Sequence, residues 1–185
     1  NDAPVLDGSG QLHLTDLDED AVGNGGMTVA DLLSSAGGNR ITDVDAGALR
    51  GIAVIGLDAA YGTWQYSLDG GLTWLNIGAV SSSHALLLRT TDLLRFQPAA
   101  DWNGVLDPAL VLRAWDQSSG AAGGYADTSV TGGTTPYAGR DRARASVSIT
   151  LRALIIGLLG LVLVELGASV AVILAYYAVL FVLAL

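Results

Sequence analysis

At 185 residues the chain has room for one domain of ordinary size and an appendage. Its formal charge of −9 comes from 18 acidic residues against 9 basic ones, all of them Arg, which argues against a nucleic-acid partner because phosphate binding needs clustered positive charge. The absence of Cys excludes a disulfide framework, a zinc–thiolate site and a thiol nucleophile, and the 24 Gly with abundant Asp, Thr and Ser point to a turn-rich β protein.

In chain order, the first residue is Asn rather than Met, so the chain is expected to be part of a longer or processed protein. Short alternating or apolar runs separated by Gly, Asp and Asn predict strands at 11–14, 52–57, 63–68, 73–77, 85–88, 93–97, 109–115 and 145–151. After the turn-like GNGG, Val29, Leu32 and Leu33 fall at helical spacing and predict a short helix over 28–34. The strand-rich pattern predicts a Greek-key sandwich of about seven strands. Residues 118–139, SSGAAGGYADTSVTGGTTPYAG, read as a long exposed excursion with little to bury.

From Leu151 the composition changes abruptly: the remaining residues carry only Arg152 and Glu165 as charges. Residues 166–185 form an uncharged run that would span about 30 Å as a helix, the hydrocarbon thickness of a bilayer. The expected organisation is a β domain over 1–150 and a hydrophobic α-helical segment over 151–185, inserted in a membrane through 153–185. Glu165 is costly at that depth unless protonated or paired. Burial of this helix by other subunits and an artefact of translation or gene assembly in a fragment are the alternatives.

Residues 67–74, SLDGGLTW, fit the pattern S-x-D-x-G-x-T-W, the Asp-box of sialidases and other β-propellers. A sialidase-type hydrolase needs an arginine cluster, a Tyr nucleophile with an activating Glu, and an acid. Only Glu19 precedes Leu151, and the Asp-box occurs once, so no enzyme is expected. His13 and His84 lie in unrelated strand-like contexts, and no phosphate-binding loop or nucleophile elbow is visible. The motif reads instead as a hairpin: Asp69 accepts from the turn, Gly70 and Gly71 take positive φ, and Thr73 and Trp74 restart the strand. Trp64, Tyr66 and Leu68 alternate onto one face, as a set directed at the core does. Trp64, Trp74, Trp102 and Trp115 leave a second reading open, a glycan-binding module.

Several phrases taken together, NDAP at residues 1–4, LTDLDEDAVGN, ITDVDAGALRGIAVIG, GTWQYSLDGGLTW, LRFQPAADWNG and RAWDQSSG, resemble the cadherin-like repeats of large bacterial surface and secreted adhesins. The resemblance covers about 1–150 and implies a cadherin/immunoglobulin-like sandwich whose units occur in tandem, with adhesion as the role and calcium at the joints. It implies that Asn1 and Asp2 of the linker join Asp43 and Asp45 at the joint with the preceding repeat, with Asp116 as a further ligand. Glu19 and Asp20 would face the next joint. Independently of the resemblance, Asp43 and Asp45 share one edge of an extended segment, and calcium takes six to eight oxygens from carboxylates and carbonyls. The bland role of every one of these carboxylates is turn-capping and solubility. The implied partners are neighbouring repeats and an unspecified protein or glycan target at the cell surface. Arg140, Arg142, Arg144 and Arg152 oppose that location, because the positive-inside tendency would hold the preceding domain in the cytoplasm.

Overall fold

A computed structural model describes residues 1–19, 21, 23–137 and 143–150, the side chains of 143, 144 and 150 excepted. The expected C-terminal helix and membrane span over 151–185 lie outside the described residues, among which no helix is long and apolar enough to cross a membrane. The fold is all-β and sandwich-like. Its strands in chain order are β1 (Val5–Leu6), β2 (Leu12–His13), β3 (Leu17–Asp18), β4 (Met27–Thr28), β5 (Ile41–Thr42), β6 (Gly51–Leu57), β7 (Gly62–Ser67), β8 (Leu75–Asn76), β9 (Ala85–Arg89), β10 (Leu93–Pro98), β11 (Gly104–Trp115), β12 (Tyr125–Ala126) and β13 (Ala143–Thr150). The one helix among the described residues, α1 (Val29–Ser34), follows β4.

The larger sheet runs β12-β9-β6-β11-β13-β2, with β3 also on β13; the smaller runs β4-β10-β7-β8, and β1 pairs with β5. Neighbours are antiparallel except β2 and β3, which run parallel to β13. All eight predicted strands are present, shifted at their ends; the two-residue strands β1, β3, β4, β5 and β12 are additional. Each of these is too short to show a period, so only its pairing partner defines it.

The two main sheets face each other across one core. Ile52 and Val54 of β6, Leu86 and Leu88 of β9 and Leu110 and Leu112 of β11 meet Trp64 and Tyr66 of β7 and Leu94 and Phe96 of β10. Alternation then sends Ala53, Ile55, Ala85, Leu87 and Trp115 to the other face of the large sheet, where Tyr137 joins them in a second buried cluster. The central strands are therefore buried on both faces, which is why 52–55 is an uninterrupted apolar run.

That second cluster corrects the reading of 118–139 as an excursion with little to bury. Thr128 is 0% exposed and Tyr137 6%. The segment is tied down by Gly123 N–H on Leu87 O (2.8 Å), Leu87 N–H on Gly124 O (3.0 Å) and Thr128 Oγ1 on Ser82 O (2.8 Å). Leu68 is a second correction: Trp64 and Tyr66 point inward, but Leu68 is 36% exposed. It lies one residue past the end of β7, where the hairpin has begun to turn.

A candidate cation site at one end of the sandwich

The strand β11 is 12 residues long and separates two ends of the large sheet. Gly104 at its start pairs with Ile149 of β13, which pairs with Leu17 of β3; Asp116 follows its end. The 43–50 turn enters β6 at Gly51, which pairs with Trp115, so Asp43, Asp45 and Asp116 are carried to the same end. The first residues reach that end as well, because β1 pairs with β5 immediately before Asp43 and Ala3 N–H donates to Gly133 O (2.8 Å).

Five of the seven residues singled out in the sequence meet there. Asn1 Nδ2 donates to Asp116 Oδ2 (2.9 Å), and the Asp2 backbone N–H donates to Asp45 Oδ2 (2.7 Å). Asp45 N–H donates to Asp43 Oδ1 (2.9 Å), closing an Asx-type turn. Asp116 is 5% exposed, and its Oδ1 accepts from Ser118 N–H (2.7 Å). Another oxygen of the cluster, Asp43 Oδ2, is buried and accepts no hydrogen bond. A carboxylate oxygen withdrawn from water without a donor is unfavourable, and it is the point where this cluster lacks a partner.

Glu19 does not join them. It follows β3, at the opposite end of the sheet, so a single ion cannot contact both Glu19 and Asp116. Asp20 lies outside the described residues. Three residues that sequence reasoning did not single out surround the cluster. Gln117, at φ 64, donates from Nε2 to Arg50 O (2.7 Å) and fixes the 43–50 turn against the end of β11. Pro136 O accepts Asp116 N–H (3.1 Å), and Tyr137 sits close enough that, after burial, the Asp116 and Asp127 carboxylates push its phenol pKa upward. None of these contacts has a local signal, since each depends on a chain segment returning from a distance.

Chemically the arrangement is an all-oxygen set on turns, the kind a hard cation takes. Among the described residues no group of three or more His, Cys, Asp or Glu is placed to hold a metal ion, so Asp43, Asp45 and Asp116 do not make a three-carboxylate site. Any complete shell here would draw on the Asn1 amide oxygen, backbone carbonyls and oxygens from outside the cluster. Val44 (81% exposed) and Leu49 (60%) flank it as bare apolar side chains.

The Trp residues divide clearly. Trp64 and Trp115 are buried, with Nε1–H on Asp58 O (2.7 Å) and Ser119 O (2.8 Å) respectively. Trp74 carries the Arg95 guanidinium on its face at 4.0 Å. Trp102 stacks on the half-exposed Tyr61, with ring centroids 4.8 Å apart and planes 5° from parallel. His84 is exposed and stacks on Tyr125 (4.2 Å), while His13 lends its backbone to pairing with β13. No family model, curated protein or solved structure matches this chain.

Proposed function

We propose that this chain is a non-catalytic, calcium-binding repeat of a bacterial cell-surface or extracellular adhesin, with a Greek-key cadherin/immunoglobulin-like topology. The observation that carries the reading is the convergence of Asn1 and Asp2 with Asp43, Asp45 and Asp116 around an orphaned carboxylate oxygen. The linker is separated from Asp116 by 115 positions in sequence, so the contact is a product of the fold.

In this reading Asp43, Asp45 and the amide oxygen of Asn1 would hold the ion, Asp116 would act through its bond to Asn1, and a neighbouring repeat would complete the shell. The cation supplies charge neutralisation where carboxylates otherwise repel one another. The protein supplies the orientation: the Asx turn fixes Asp43 and Asp45, and buried Asp116 holds Asn1 through its Nδ2. Asn1 and Asp2 dock the linker on the cluster by donating to Asp116 and Asp45. Bending at the joint is limited once one ion ties linker, turn and strand end together. The segment 153–185 would anchor the unit in a membrane.

Calorimetric titration and thermal melts test this on the full chain and on two units in tandem. Calcium should raise Tm in a dose-dependent way, by about 2.7 kcal/mol of added stability at 100 times Kd. Asp43→Asn with Asp45→Asn should remove most of that increment while leaving the metal-free melt nearly unchanged. Tandem units whose melts ignore calcium, or a double variant that responds as the parent does, would sink the reading and leave a metal-free spacer. A second reading, a glycan-binding module, is favoured by the Tyr61–Trp102 stack alone, since the other three Trp are buried or covered. Glycan binding that persists unchanged in Trp102→Ala would remove it.

A further inference from the structure

The chain contains two Asn-Gly pairs, Asn24-Gly25 and Asn103-Gly104. A glycine after Asn leaves its backbone nitrogen unshielded by a Cβ. That nitrogen can attack the Asn side-chain carbonyl carbon, forming a C–N bond and expelling the side-chain nitrogen as ammonia. Water then opens the resulting succinimide at either carbonyl, giving aspartate or its β-linked isomer. One water is consumed, one ammonia is released, and nothing is oxidised or reduced.

The sequence makes the two pairs equivalent, but their surroundings differ. Asn24 is clamped: Nδ2 donates to Phe96 O (2.9 Å), Oδ1 accepts Gly26 N–H (3.2 Å), and its own carbonyl accepts from Arg95 (2.9 Å). Turning its side chain toward Gly25 N breaks the first two bonds at once. Asn103 is exposed and makes no side-chain hydrogen bond among the described residues. It sits in an irregular turn between Asp101, at φ 58, and Gly104, at φ 148, before β11 begins.

We propose that Asn103 is a site of spontaneous deamidation in the folded protein and that Asn24 is protected from it. The new carboxylate stands two residues from Asp101, the spacing of Asp43 and Asp45. Because Gly104 pairs with Ile149 and Ile149 with Leu17, it also adds negative charge to the sheet end that carries Asp18 and Glu19. The β-linked product inserts an extra backbone atom just ahead of the longest strand. The site does not depend on calcium binding at the opposite end.

Peptide mapping by mass spectrometry, on the full chain aged at mildly alkaline pH with and without denaturing urea, tests the proposal. In urea both amides should be lost at similar rates. Folding should slow Asn24 several-fold and leave Asn103 near its unfolded rate. Asn103→Gln should remove most of the isoaspartate that the folded chain accumulates, because the longer side chain closes its ring far more slowly. Folding that protects Asn103 as strongly as Asn24, or isoaspartate undiminished in Asn103→Gln, would overturn it.

Discussion

Asp69 shows how a residue can carry a catalytic-looking pattern and do purely local work. Its Oδ1 accepts Thr73 N–H (2.9 Å), its Oδ2 accepts the Thr73 hydroxyl (2.5 Å), and Ser67 Oγ donates to it at 2.7 Å. Gly70 and Gly71 take φ values of 74° and 91°. The Thr73 hydroxyl and N–H, then Ser67, hold the Asp69 carboxyl down at about 2, below its ordinary 3.8. A depressed folded pKa contributes stability that is complete above the unfolded value and is lost as pH falls through the folded one. Asp69→Asn should therefore melt below the parent at pH 7, and the gap should close between about pH 4 and 2 in melts followed by circular dichroism. A gap that stays constant with pH would mean that the carboxylate charge is immaterial to the turn. This hairpin was legible in the sequence because every partner lies within seven residues of Ser67. The orphaned Asp43 Oδ2 was not, since burial of one oxygen depends on what packs over it.

At the scale of elements, α1 was also legible, and for the same reason. Thr28 Oγ1 accepts Asp31 N–H (3.0 Å) and donates to Asp31 Oδ2 (2.6 Å), a reciprocal cap of the helix start. Val29, Leu32 and Leu33 then bury one face. A helix of six residues has little stability of its own, so cap and packing decide whether it forms. Thr28→Ala should cost about 1 kcal/mol in urea unfolding, whereas Thr28→Ser should cost only a few tenths, since serine keeps the hydroxyl. Gly51 is a case where spacing carries no information. A Cβ there would lie 2.7 Å from Leu88 O and 2.8 Å from the Trp115 ring, because β6 is squeezed between β9 and β11. Gly51→Ala should destabilise by about 1–3 kcal/mol, read from the urea midpoint at unchanged m.

Across the whole molecule, the two faces of the large sheet need separate cover. The smaller sheet covers one; the chain between Asp116 and Tyr137 covers the other, with Trp115 as the hinge of the contact. Trp115→Ala should cost about 3–5 kcal/mol and, before global unfolding, expose the 118–136 region to proteolysis. Limited digestion followed by mass spectrometry would show new cuts there; cuts confined to other loops would mean that this cover is held independently of Trp115.

What the sequence determined by itself is the part written in short range. Alternation and turn residues set the eight main strands, helical spacing after the GNGG turn set α1, and the Asp-box set its hairpin. Composition excluded thiol chemistry and disfavoured nucleic acid. The tertiary structure decided which faces are buried and which carboxylates meet. Pairing of β1 with β5 and of β6 with β11 delivers Asn1, Asp2, Asp43, Asp45 and Asp116 to one end and leaves Glu19 at the other. Such meetings depend on strand partners tens of residues apart, and no local pattern encodes a partner's identity.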